Sequence, residues 1–246
     1  MKKIKWQIVF GISLILLAAA LYYVHYLIFH DAHHIFYYLL SEIAFIPVEV
    51  LIVTLIIHSI LSIREKKNKM AKLNMVIGAF FSEVGTKLAE KFFDLDNDNA
   101  TLQQRLAIEQ DWTNEKFEDA IKYLHEHVYD VQMNRANLEQ LRDYLLEKRA
   151  FLLRLIENPN LLEHDRFTDM LWAVFHLTEE LIHRQTLKDL PENDKKHLNG
   201  DMKRVYRAVV FEWIEYVKHL RTSYPYLFSL AMRTNPFNPN SSIYVQ

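Results

Sequence analysis

The sequence predicts an all-α protein, with an N-terminal two-helix transmembrane hairpin followed by a cytoplasmic helical-bundle domain. Three observations predict it. The chain opens with two long apolar runs that are almost free of charge. Apolar residues then recur at helical spacing through most of the remaining length. With only 4 Gly and 6 Pro in 246 residues, and no alternating strand pattern of useful length, loop-rich β folds are excluded.

The first run, Trp6 to Phe29, is 24 residues without Asp, Glu, Lys or Arg. At the helical rise it extends ~36 Å, against a hydrocarbon core of ~30 Å. The second, Ile35 to Ile63, is 29 residues whose charged members are Glu42 and Glu49. A link of five residues, His30-Asp31-Ala32-His33-His34, joins them. Met1-Lys2-Lys3-Ile4-Lys5 resembles the start of a signal peptide. The length of the run and the second run behind it argue for a hairpin instead. Lys2, Lys3 and Lys5 precede the first span, and Arg64, Lys66, Lys67, Lys69 and Lys72 follow the second. The turn has neither Lys nor Arg. Both termini are therefore expected in the cytoplasm of a cell-membrane protein, with the His-rich turn outside. Tyr22, Tyr23, Tyr26, Phe36, Tyr37 and Tyr38 gather toward the outer interface, as aromatic belts do.

Leu73, Val76, Ile77, Phe80, Val84, Leu88 and Phe92 continue at helical spacing, and no Pro falls between Val48 and Asp94. The second span is thus expected to run on as one long helix. Gly78 and Gly85, seven apart on one face, would let another helix approach closely. Further helices are predicted at about 101–110, 114–130, 135–157, 164–185, 195–223 and 225–233. Breaks fall at Asn158-Pro159-Asn160, Leu190-Pro191 and Tyr224-Pro225. The organisation reads as a hairpin at 1–63, a basic juxtamembrane segment and connecting helix at 64–94, a helical domain at 95–234 and a tail at 235–246. In the tail, Phe237 and Tyr244 are expected to dock.

The chain has no Cys and a formal charge of −2. Disulfides, thiolate metal sites and Cys nucleophiles are excluded. Residues 1–72 sum to +4, which leaves −6 on residues 73–246. A basic collar of Arg64, Lys66, Lys67, Lys69 and Lys72 suits anionic lipid headgroups, so the bilayer is the first partner. The acidic remainder argues against nucleic acid.

Glu42 and Glu49 are the sharpest intramembrane feature. Seven residues apart, they lie about 20° apart on one helix face, near Tyr38. An ionised carboxylate at mid-span costs at least ~3 kcal/mol, so it needs a partner helix, a second subunit or water. Pro47, between them, frees the carbonyl of Ile43. The stripe could line a cation or proton path in an oligomer. Alternatively, Glu49 is protonated and bonded across the hairpin to the Ser13 to Ala20 region, whose Ala18-Ala19-Ala20 allows close contact.

His30, Asp31, His33 and His34, with His25, offer zinc-, copper- or nickel-type ligands in the turn. The rival reading is a solvated turn in which Asp31 caps the second helix. His176, Glu180 and His183 show ligand spacing, and Glu180-x-x-His183 matches half of a di-iron motif whose second half is missing. The wheel puts them opposite Phe167, Met170, Leu171, Val174, Leu177 and Leu181, and so in solvent. Asp94, Asp96 and Asp98 open like a calcium loop, but Asn99 and Arg105 stand where Gly and Glu belong, which leaves a helix-ending turn. The adjacent residues of His125-Glu126-His127 fan round a helix and make no chelate. Phosphate loops, HExxH, GxSxG and dinucleotide fingerprints are all absent, so no cofactor is implied and a non-enzymatic role is favoured.

Lys72-Leu73-Asn74-Met75-Val76-Ile77-Gly78-Ala79-Phe80-Phe81-Ser82-Glu83-Val84-Gly85 resembles a segment of an uncharacterised prokaryotic family of two-span membrane proteins with a C-terminal helical domain. So do Tyr224-Pro225-Tyr226-Leu227-Phe228-Ser229-Leu230-Ala231 and Arg233-Thr234-Asn235-Pro236-Phe237. The resemblance carries no activity. Three functional expectations follow from the residues. The first is a membrane-tethered, homo-oligomeric cytoplasmic interaction or regulatory module with a cytoplasmic protein partner. The second is a homo-oligomeric cation or proton channel. The third is a histidine-based metal sensor or metalloenzyme.

Overall fold

The computed structural model describes residues 2–131, 135–159, 161 and 164–244, the side chains of 2–5, 7, 8, 135 and 136 excepted. The side chains of Lys2, Lys3 and Lys5, the Asn160 of the predicted break and the last two residues of the tail lie outside the described residues. Helices follow one another as α1 (Lys2–Phe29), α2 (Ala32–Phe80), a π-helical turn (Phe81–Gly85), α3 (Thr86–Asp94), α4 (Asn99–Leu106), α5 (Asn114–Glu126), α6 (Arg135–Ile156), α7 (Asp165–His183), α8 (Glu192–Ser223) and α9 (Pro225–Arg233). Among the described residues, the β pairing is one isolated bridge, Asp96 with Val131.

The chain divides into Met1–Glu65 and Lys66–Gln246. In the first unit, α1 and the start of α2 are long and apolar enough to cross a membrane by length and composition. The link is His30 and Asp31 alone, shorter than the five residues expected. The physical reason is that the Asp31 carboxylate accepts the His34 backbone N–H at 3.0 Å, so the second helix is capped and starts at Ala32. His30 sits at φ 54°, the left-handed conformation that ends α1 and lets the chain reverse. Most described side chains along α1 and along α2 as far as Glu65 are exposed, for example Leu16 at 65% and Leu40 at 71%.

The second unit has the opposite character. Leu73, Phe80, Val84, Leu88 and Phe92 are completely buried and belong to one core with α7 and α8. The segment that reads as a connecting helix at 64–94 is therefore, from Lys66 on, a structural member of this unit. The α-helix there is interrupted at Phe81–Gly85, where Thr86 N–H bonds the carbonyl of Phe81 five residues back. Two side-chain hydroxyls add bonds to carbonyls of this turn. Thr86 Oγ1 donates to Phe81 O at 2.8 Å, and Tyr144 Oη from α6 donates to Val84 O at 2.9 Å.

The predicted glycine pair divides by role. A Cβ on Gly78 would meet the Tyr216 hydroxyl of α8 at 3.3 Å, so Gly78 does admit a neighbouring helix. A Cβ on Gly85 would lie 2.5 Å from Phe80 Cε1 and 2.6 Å from Phe81 Cδ1. Gly85 thus makes room for its own preceding turn, not for another helix.

The later helices lie close to expectation, but α4 stops at Leu106 and α5 at Glu126 instead of 110 and 130. The carbonyl of Leu106 is taken by Asn235 Nδ2 at 2.8 Å, and the Asn235 Oδ1 accepts Phe237 N–H at 2.9 Å. The tail thereby pins Phe237, fully buried between Phe93 and Trp213. Tyr244 does not dock; it is 78% exposed. Asp94 ends α3 in the expected turn, and Asp96 Oδ1 accepts Asp98 N–H at 3.1 Å.

Candidate functional site

On α7, Phe167, Met170, Leu171, Val174, Leu177 and Leu181 are all fully buried, which fixes the helix's rotation. His176 then falls on the exposed side of the helix and Glu180 on its partly buried flank. Both meet α8, whose own rotation is set by Leu198, Met202, Val205 and Val209. The α8 residues facing them are His197 and Asp201, again four apart. The sequence places His176 and Glu180 in solvent; His176 is indeed exposed, Glu180 is instead partly buried, and that reading passes over the partners His197 and Asp201 on α8. His183 does point outward, at 75% side-chain exposure, near Glu179.

Two imidazoles, His176 and His197, each stand between the carboxylates of Asp201 and Glu180. His176 Nε2 lies 3.4 Å from Asp201 Oδ2 and 3.9 Å from Glu180 Oε1. His197 Nε2 lies 3.3 Å from Asp201 Oδ2 and 3.7 Å from Glu180 Oε2. One ligand atom each from His176, Glu180 and His197 lie within 4.8 Å of one another. Both imidazoles are half-exposed, whereas the Asp201 side chain is only 3% exposed. Its Oδ1 accepts Arg204 Nη1 at 2.8 Å, and its Oδ2 is buried without a hydrogen-bond partner. Arg184 holds Glu180 Oε2 at 2.6 Å and Asp194 at 2.6 Å. The bond to Arg184 keeps the Glu180 carboxyl below its usual range, and Arg184 does the same for the carboxyl of Asp194. Nitrogen and oxygen donors on two adjacent helices, with no thiolate, are the set that borderline divalent cations take.

In the hairpin, Tyr22 donates to Glu42 Oε2 at 3.3 Å. The cross-hairpin bond expected of Glu49 is thus made by Glu42, and to a tyrosine, not to the Ser13 to Ala20 stretch. Ser13 Oγ turns back to Phe10 O at 2.7 Å. Glu49, exposed in α2, has no side-chain partner among the described residues. Tyr38 packs on His34 with ring centroids 4.5 Å apart, and Pro47 lies inside the continuous α2. His34 also stacks on His25 at 6.2 Å, while Asp31 serves as the helix cap. Among the described residues, His30, Asp31, His33 and His34 do not converge as a ligand group. Arg64, Lys66, Lys67 and Lys72 are exposed, and Lys69 is half-buried.

Two further features belong to the second unit. Asp96, His127, Tyr129 and Tyr206 form a buried polar cluster, with Asp96 Oδ2 3.9 Å from His127 Nε2. Burial pushes both tyrosine hydroxyls far up, so they remain neutral. His125 instead packs on Phe211, so the His125-Glu126-His127 run diverges as expected. A solvent-open groove of ≈ 1200 Å³ runs past Gly78, Phe81, Tyr216, His219 and Ile243.

No solved structure matches the chain. Residues 2–61 match the family described as MJ1433, N-terminal helical domain, and residues 69–233 match Uncharacterized protein MJ1433, C-terminal helical domain. The two matches fall on the two compact units. Uncharacterized protein MJ1433 of Methanocaldococcus jannaschii is 41% identical over 242 residues, which cover 98% of this chain and 97% of that protein. With both helical domains matched and a relative aligned nearly end to end, the chain belongs to the MJ1433 family.

Proposed function

We propose that the chain is an integral membrane protein whose hairpin tethers a helical interaction or regulatory module at the cytoplasmic face, assembled as a homo-oligomer with a cytoplasmic protein as partner. One observation carries this reading: the apolar windows of α1 and α2 have no buried residues, beside a second unit whose core is closed. Covering a Leu, Ile or Phe side chain gains ~1.5–3 kcal/mol, so two helices left bare in water are untenable and a bilayer is the matching solvent. The basic residues at both ends, with none in the turn, set the orientation. On alkaline carbonate extraction the protein stays with the membrane pellet; release to the supernatant would remove the tether.

A second reading rests on Glu49. A carboxylate without a partner in an apolar helix is supplied with one if copies assemble around it, which is the arrangement of a cation or proton path. Flux in liposomes that Glu49→Gln abolishes at unchanged expression favours it. Wild-type protein that passes no ions excludes it.

A further inference from the structure

We propose that His176, Glu180, His197 and Asp201 form a site for a divalent transition ion of the zinc type, which clamps α7 to α8. The inference concerns the second unit alone and stands whether or not the hairpin crosses a membrane.

The geometry around Asp201 Oδ2 carries the proposal. This oxygen is buried without a hydrogen bond, while two imidazole nitrogens stand 3.3 and 3.4 Å away. A buried acceptor without a donor costs ~1–3 kcal/mol. An imidazolium would answer it by aiming an N–H at the oxygen, yet neither contact has hydrogen-bond geometry. A cation seated among the three atoms satisfies all of them at once. Tetrahedral zinc with bonds of ~2.0–2.1 Å sets its ligands about 3.3 Å apart, which is the separation of Asp201 Oδ2 from each imidazole nitrogen. Glu180 supplies the fourth ligand through Oε1, 3.9 Å from His176 Nε2, once its side chain turns toward the ion, while Oε2 stays with Arg184.

The outer shell fits the same role. Each carboxylate has one oxygen held by an arginine, Asp201 Oδ1 by Arg204 and Glu180 Oε2 by Arg184. The other oxygen of each is left for the ion, as in metal sites whose ligands are oriented from behind. Half-exposed imidazoles allow the ion to enter and leave from solution. The ligands come from two helices that each contribute an i,i+4 pair, so an ion there locks the α7–α8 contact. This gives a regulatory module something to sense.

The test uses the full-length chain, purified in detergent and stripped with a chelator. Titration with Zn2+ is expected to show one equivalent bound at micromolar affinity or tighter, and Co2+ in its place to give the strong visible absorption of tetrahedral coordination. Zn2+ is expected to raise the melting temperature of the wild type. His197→Gln, a change at a half-exposed position, and Asp201→Asn each weaken this equivalent by ~100-fold or more, with helical content retained. Arg204→Ala weakens it by ~10-fold, and His183→Ala leaves it unchanged. Zn2+ binding no tighter than millimolar in the wild type would overturn the site. So would binding, absorption and melting shift that persist undiminished in His197→Gln, which would place the ion elsewhere, such as the turn at His30 to His34.

Discussion

Leucines in the two units teach different lessons from the same chemistry. Leu16 in α1 is 65% exposed and Leu171 in α7 is completely buried, though both sit in well-formed helices. In α7 an amphipathic stripe decides which side chains are covered, and the polar residues left at its edge become available for chemistry. In α1 and the first half of α2 apolar residues surround the helix, so no stripe exists and the covering must come from outside the chain. Each unit also holds a carboxylate that lacks a hydrogen-bond partner: Glu49 in the hairpin, and Asp201, at Oδ2, in the helical unit. Asp201 has histidines beside it, and Glu49 has no side-chain partner among the described residues.

The sharpest way to break this contrast is one substitution made twice. Leu171→Ala is expected to cost about 2–5 kcal/mol of the second unit's stability, because a filled site becomes a cavity. Leu16→Ala is expected to leave that unit's melting unchanged. Fluorescence of Trp112 and Trp213, both buried in the second unit, follows the transition. Equal losses in the two variants would show that Leu16 is packed within the protein.

The next effect is a pH dependence confined to the helical unit. Glu212 is buried, with Oε1 lacking a hydrogen bond, Arg166 3.8 Å away and Glu215 nearby. Burial raises its carboxyl from 4.5 to about 7, against a smaller pull from Arg166. The folded state therefore holds a proton that the unfolded state has released. The associated stability is full below the ordinary carboxylate range and lost as pH rises through about 7. Between pH 5 and 8 the loss is expected to be on the order of 2–3 kcal/mol, and Glu212→Gln to flatten it. A profile that rises with pH in the wild type, or one unchanged in Glu212→Gln, contradicts the assignment. Smaller still are two glycines. Gly85→Ala is expected to destabilise by about 1–3 kcal/mol, since the added Cβ meets the buried Phe80 and Phe81 rings. Gly200→Ala, with nothing within 4 Å of the new Cβ on α8, is expected to stabilise by about 0.5–1 kcal/mol. A Gly85→Ala protein that melts no lower than the wild type would show that the π-helical turn is not fixed by its glycine, and a destabilised Gly200→Ala would show that its Cβ meets a neighbour.

Most helices were legible because their periodicity and breakers are local. The Pro at the start of α9 and the apolar spacing of α7 and α8 place those elements within a few residues. What escaped depends on partners distant in sequence. At the end of α4 the Leu106 carbonyl accepts the Ile108 N–H and also Asn235 Nδ2, from a residue 129 positions away. The π-helical turn depends on Tyr144 reaching Val84 from α6. At the candidate site, His176 and Glu180 were readable as a spaced pair, but their surroundings require the rotation of α8. A second i,i+4 pair, His197 and Asp201, stood in the next helix as the available signal. Two helices of similar pattern joined by a short loop were the context in which to pair them.

The central claim is that the bare helices are covered by a bilayer, with the closed unit on its cytoplasmic side. The chain has no native Cys, so single cysteines report position without background. Ala32 and Asn240 are both exposed. In intact cells an impermeant thiol reagent is predicted to label Ala32→Cys, and to label Asn240→Cys only after lysis. Labelling of Asn240→Cys in intact cells, with Ala32→Cys protected, would contradict the account.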